Sequence, residues 1–108
     1  MGYYNIDVSE LKNVIGLFSG CSNTKHIPYI KFGYHQDSFK SAFSNCTNLE
    51  TIELKLEDSN ITDLNRAFYN CSSIKGAEIE KLSFDKIQNF TETFEYCTSL
   101  ENINLVCE

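Results

Sequence analysis

The chain has 108 residues, 42% of them hydrophobic and 22% charged, with five cysteines and a formal net charge of −6. This is enough for one domain, 1–108, with a modest core, and no apolar run approaches the roughly 18 residues or more that a membrane span needs. The acidic balance is concentrated in residues 55–108, where ten acids face five bases and Arg66 is the only arginine; nucleic acid is a poor partner for such a surface, because phosphate contacts need Lys and Arg.

The opening stretch "MGYYNIDVSE" has neither a basic start nor an apolar segment, so no secretory signal is expected in it. The first patterned element begins at Asn13, a residue type that favours helix N-termini. Val14, Leu17, Phe18 and Cys21 follow at the spacing of one helix face. Ser22-Asn23 reads as a turn, and Thr24, Ile27 and Tyr29 as a weak strand. A second copy starts at Ser38: Phe39, Ala42, Phe43 and Cys46, the turn pair Thr47-Asn48, then Leu49, Ile52 and Leu54, whose end alternates as a half-buried strand does. A third starts at Asp63, with Leu64, Ala67, Phe68 and Cys71, then Ser72-Ser73, then Ile74, Ala77 and Ile79. A fourth starts at Asn89, with Phe90, Thr93, Phe94 and Cys97, then Thr98-Ser99, then Leu100, Ile103 and Leu105. Return loops fall at 31–36, 56–61 and 82–87. The cysteine steps are 25, 25 and 26, with the extra residue expected near 82–85. A fixed period of this length is the mark of a solenoid of stacked repeats. The reading predicts a short helix of about two turns and a short strand in each repeat.

The segments "LETIEL", "IKGAEI" and "LENINL" resemble the L-x-x-L-x-L core of leucine-rich repeats, and the preceding "AFxxC" resembles the BspA-like members with long loops. The resemblance covers residues 11–105. It implies an α/β fold: a short leucine-rich-repeat solenoid of about four repeats, with a parallel strand ladder on the concave side and short helices on the convex side. It also implies adhesion or recognition, since many members are surface proteins of that kind. Thr24 and Pro28 in the first repeat and Gly76-Ala77 in the third depart from the pattern, and those copies are expected to pack less tightly.

Each candidate site has a plainer alternative. The cysteine column reads first as buried free thiols, because cysteine behaves as a small apolar residue. Stacked strands would also bring neighbouring cysteines within disulfide range, and a metal site would need close C-x-x-C pairs, which are missing. Cys107 is expected inward and, near the end, to be the most reactive thiol. The phenylalanine column Phe18, Phe43, Phe68 and Phe94 reads as a core spine rather than an aromatic binding stripe. His26 and His35 occupy different phases, and Cys21 and His26 are expected to point apart, so a Cys–His or Ser–His–Asp catalytic arrangement is not expected; neither is any cofactor or metal.

The outward strand columns are His26, Thr51, Gly76 and Asn102; then Pro28, Glu53, Glu78 and Asn104; then Ile30, Lys55, Glu80 and Val106. The partner-binding candidates on the concave face are Thr51, Glu53, Lys55, Glu78, Glu80, Asn102 and Asn104, weighed against an ordinary solvated face. Ile103, Leu105 and Val106 form the final strand, which no further repeat covers. With its unpaired backbone groups it is expected to dock onto a copy of the chain, a partner subunit or further repeats, unless loop side chains cover it, with Phe90, Phe94 and Cys97 partly exposed beside it. The function expected is a non-enzymatic protein-interaction or adhesion module whose partner is another protein, itself or a larger assembly. The alternative is a structural subunit of such an assembly, a virion or surface particle. The odd cysteine count favours a reducing compartment, cytoplasm or an intracellularly assembled particle, with the cell surface as the alternative.

Overall fold

The computed structural model describes residues 6–27, 30–33, 37–55, 60–82 and 87–107. Five parallel strands follow one another in chain order: β1 (Ile6–Asp7), β2 (Ile30–Lys31), β3 (Thr51–Lys55), β4 (Gly76–Leu82) and β5 (Asn102–Cys107). β1 pairs with β2, and β3, β4 and β5 form a three-stranded sheet in that order. The register joins equivalent repeat positions: Ile52 opposite Ala77 opposite Ile103, and Leu54 opposite Ile79 opposite Leu105. A bridge between His26 and Thr51 brings the first repeat into the same stack. The irregularity that absorbs the extra residue lies between Glu80 and Leu82, at the near edge of the stretch expected to hold it.

The expected short helices are not present among the described residues; four stacks of turns stand in their place. The reason is visible in the backbone. Gly16, Ser41, Arg66 and Glu92 have φ between 56° and 65°, and four residues later Gly20, Asn45, Asn70 and Tyr96 have φ between 59° and 77°. A left-handed residue cannot continue a right-handed helix. The hydrogen bonds change accordingly. Ala42 N–H donates to Phe39 C=O and Cys46 N–H to Phe43 C=O, closing tight turns, while the amides of Ser41, Phe43 and Asn45 donate across to the carbonyls of Asn65, Ala67 and Tyr69 in the next repeat. Gly16, Phe18 and Gly20 bond the second repeat in the same way, and Arg66, Phe68 and Asn70 bond the fourth. Amides that a helix would keep to itself thus hold one repeat to the next. The residues read as helix caps open turns instead: the side-chain oxygens of Asn13, Ser38, Asp63 and Asn89 accept from the amide two residues on, the local bonding that Asn, Asp and Ser offer at turns.

The core is the stack of inward columns. Val14, Phe39 and Leu64 are buried, as are Ala42, Ala67 and Thr93, and Leu49 and Ile74. Thr93 puts a hydroxyl where its neighbours have a methyl, and donates it within reach of the Leu64 carbonyl at 3.0 Å. Phe18, Phe43, Phe68 and Phe94 stack face to face, with centroids 5.2, 5.5 and 5.3 Å apart; Phe39 and Phe32 extend this spine sideways. Repeat three is fully buried on its inner side in spite of Ala77. Ile30, expected outward, is buried beside Phe32. The inward phase passes from Ile27 to Ile30, an odd step, and a shift of one residue exchanges the faces of a strand. Gly33 sits where a Cβ would come within 2.5 Å of the Ser9 carbonyl oxygen, so only glycine admits the segment after β1. The expectations for Pro28, Tyr29 and His35 lie outside the described residues.

Candidate functional site

The cysteine column sits at the seam between repeats. Cys46 donates its thiol to the Phe18 carbonyl at 3.2 Å, Cys71 to Phe43 at 3.1 Å and Cys97 to Phe68 at 3.1 Å. Each thiol therefore satisfies a carbonyl of the repeat before it, which a larger or purely apolar side chain would not do. Cys21, Cys46, Cys71 and Cys97 are free thiols; Cys46 and Cys71 are buried, and Cys21 and Cys97, in the outer repeats, are half-buried. The neighbouring Cys46 thiol and burial push the Cys71 thiol well above the ordinary range, and burial pushes Cys97 up. A thiol held protonated is a poor nucleophile. Cys107 pairs with Leu82 through the backbone; its side chain lies outside the description. No cluster of three or more metal-ligating side chains occurs among the described residues.

The strand face brings most of the expected recognition residues together. Thr51 lies opposite Gly76 and Gly76 opposite Asn102; Glu53, Glu78 and Asn104 form the next column, and Lys55, Glu80 and Val106 the third. Thr51, Glu53, Asn102 and Asn104 are exposed, while Glu78 and Lys55 are half-buried. Glu53 and Glu78 face each other directly across neighbouring strands, which lie about 4.8 Å apart, an arrangement that disfavours the isolated fold. His26 is exposed and places Nδ1 3.0 Å from the Thr51 hydroxyl, away from the inward cysteine column, so the two do not make a catalytic pair.

Between these columns runs a groove of about 420 Å³, bordered by His26, Thr51, Glu53, Glu78, Asn102 and Asn104, with Gly76 at its floor. Gly76 has no positive φ, and a Cβ there would meet only the Asn102 carbonyl oxygen, at 4.0 Å. Neither backbone conformation nor crowding requires glycine. Its absent side chain deepens the groove, a feature of strands that another backbone or a ligand approaches closely. The sequence places Gly76 in the outward column with His26, Thr51 and Asn102 and marks it as a departure from the repeat pattern, but not as a recess; the signal available was a glycine inside a strand with no turn to serve.

At the far edge of the sheet, Ile103 continues the inward column of Ile52 and Ala77, yet it is 44% exposed where those two are buried. Phe90 is exposed, and Phe94 and Cys97 are half-buried. Leu105 and Val106 pair with Ile79 and Glu80 through the backbone.

On the turn side, Arg66 forms an ion pair with Glu92 and lies over the Tyr69 ring, 4.6 Å from its centroid. Tyr69 meets Tyr96 edge-on at 5.4 Å. The Arg66–Glu92 and Tyr69–Tyr96 contacts join the third repeat to the fourth, and the Arg66–Tyr69 contact lies within the third. No helix among the described residues is long and apolar enough to cross a membrane.

The family described as "BspA type leucine rich repeat region (6 copies)" matches this sequence over residues 6–54 and 16–108. Comparison with curated proteins and with solved structures finds no match.

Proposed function

Since the chain belongs to the BspA-type leucine-rich repeat family, whose repeats serve protein–protein interaction, we propose that it is a non-enzymatic recognition module of the adhesion type, engaging a protein partner on the concave strand face. The observation that carries this reading is the groove floored by Gly76 and flanked by Glu53 and Glu78. Two carboxylates in register, with a recess beside them, suit a partner segment that lays its backbone over Gly76 and brings a Lys or Arg between the acids. Such a charge would relieve a repulsion that the fold alone leaves in place. Thr51, Asn102 and Asn104 offer hydrogen bonds at the rim, and Lys55 and Glu80 extend the face.

The test uses the purified chain as bait and compares variants against one captured partner. Glu53→Lys combined with Glu78→Lys, and separately Gly76→Tyr, are expected to abolish capture while leaving the melting midpoint near that of the parent chain. Lys12→Glu, in the first repeat away from this face, is expected to retain it. Unchanged capture by both groove variants would overturn the strand-face reading.

A further inference from the structure

Glu53 and Glu78 stand opposite each other on neighbouring strands, and neither is joined by a hydrogen bond or an ion pair among the described residues. Lys55, the cation of this sheet face, lies one column further on and does not border the groove. Arg66, the chain's only arginine, is on the turn side, engaged by Glu92 and Tyr69. The groove wall thus carries two carboxylates, with His26 as the one basic side chain among the described residues on its rim.

The floor beside the two acids is bare backbone. Gly76 has no side chain, and Ile52 and Ala77 bury theirs in the core. A Cβ at Gly76 would meet nothing nearer than the Asn102 carbonyl oxygen at 4.0 Å, so the space above its peptide groups is open. Open space over flat peptide groups suits a flat occupant. A guanidinium is planar and weakly hydrated, and its rigid fork of N–H donors can serve two carboxylates at once. An ammonium is a compact, strongly hydrated point charge. Laid over Gly76, a guanidinium turns one edge to Glu53 and another to Glu78 and gives up little hydration. An ammonium gives up more and leaves the recess unfilled.

The groove crosses the strands rather than following one. From His26 through Thr51 and Gly76 to Asn102 it spans three strand steps, roughly 14 Å at about 4.8 Å each, which an extended segment of about four or five residues covers. Thr51 on one side and Asn102 and Asn104 on the other border it, and their hydroxyl and amide groups can bond the backbone of such a segment.

We propose that the residue recognised in this groove is an arginine, carried near the middle of a short extended segment of a partner protein and laid flat over Gly76 between Glu53 and Glu78. The proposal rests on the strand-face reading and narrows its basic residue to a planar one. The net charge of −6 favours the approach of a basic segment, by an attraction that salt screens.

The test uses capped pentapeptides with two glycines on each side of a central arginine, lysine or citrulline, titrated into the nitrogen-15-labelled chain. The arginine peptide is expected to shift the amide signals of Thr51, Gly76, Glu78 and Asn102 saturably, and to bind about fivefold or more tighter than the lysine peptide. Citrulline keeps the shape without the charge, and its peptide is expected to bind far more weakly than either. Glu78→Gln is expected to weaken the arginine peptide most. Gly76→Ala, which the open space admits, is expected to bring the arginine and lysine peptides closer together, because the added methyl lifts a flat group off the floor. Equal binding of the arginine and lysine peptides, equal binding of the citrulline peptide, an arginine preference unchanged in Gly76→Ala, or no saturable shift in the groove would each overturn the proposal. If capture of the protein partner is still lost in Glu53→Lys with Glu78→Lys, only the choice of arginine falls; if capture is unchanged as well, the strand-face reading falls with it.

Discussion

Phe68 is the residue on which the interior depends most. It is fully buried, stacks on Phe43 and Phe94 at near-parallel angles, and its backbone carbonyl takes the Cys97 thiol. Truncating a buried phenylalanine costs about 3–5 kcal/mol, a large share of the stability of a domain this size. Phe68→Ala is therefore expected to unfold the chain or nearly so, read from its denaturant midpoint, whereas Phe18→Ala, in the outer repeat, is expected to cost clearly less. The thiols give a pH dependence whose sign follows from burial. Cys71 keeps its proton in the folded state well above the pH at which an unfolded thiol, of pKa about 8.5, loses it. Above that pH the unfolded state binds fewer protons than the folded one, so stability falls as pH rises. The contribution of Cys71 is fully present below about pH 8.5 and declines above it, offset in part by Cys46, whose thiol the bond from Cys71 holds below its ordinary range. Melting in reducing buffer from pH 7 to pH 10 is expected to show this decline, and Cys71→Ala, though less stable at pH 7, is expected to show a shallower one. In the native state Cys46 and Cys71 are expected to resist a thiol reagent that Cys21 and Cys97 meet sooner.

At the scale of the element, the inward columns were legible in the sequence because burial repeats at the period of the chain, and that period survives whatever backbone joins the columns. Val14, Leu17, Phe18 and Cys21 have helix spacing, but a turn stack with i to i+3 bonds places the same residues on the same side. What decides between the two is the sign of φ at two positions per repeat. Gly16, Gly20, Asn45 and Asn70 hint at it, since glycine and asparagine tolerate the left-handed region; Ser41, Arg66, Glu92 and Tyr96 give no such hint. Ser41 and Arg66 are held there by the bonds their amides make across the seam, at a cost of order 1 kcal/mol each or more. The strain makes an ordering testable. Ser41→Gly is expected to raise stability by about 0.5–1 kcal/mol, because the relief exceeds the added freedom of the unfolded chain only modestly. Ser41→Val is expected to lower it, since a β-branched residue fits this region poorly. An Ala-like response at both would mean that no left-handed residue is required at this position. The strand register was legible for a simpler reason. The alternation in "TIELK" and "GAEIE" has one inward phase, so the outward columns containing Glu53 and Glu78 follow directly. The face of Ile30 was not, because a single-residue shift leaves no mark in composition.

For the molecule as a whole, the repeats touch only their neighbours, so stability is a sum over repeats and seams, and among the described residues the turn runs of the outer repeats make one seam each where the inner ones make two. The burial pattern follows this count: the Phe and Cys columns are fully buried in repeats two and three and half-buried in repeats one and four. Opening from the ends should therefore be easier than global unfolding. Native-state hydrogen exchange is expected to rank the amides by seam. Phe43, Asn45, Leu49 and Ile74 should exchange only through global opening, since their acceptors lie in repeats two and three. Phe18, Gly20 and Cys21 in the first repeat, and Cys97 and Leu100 in the last, should exchange through smaller openings that expose little surface, and their rates should depend weakly on denaturant.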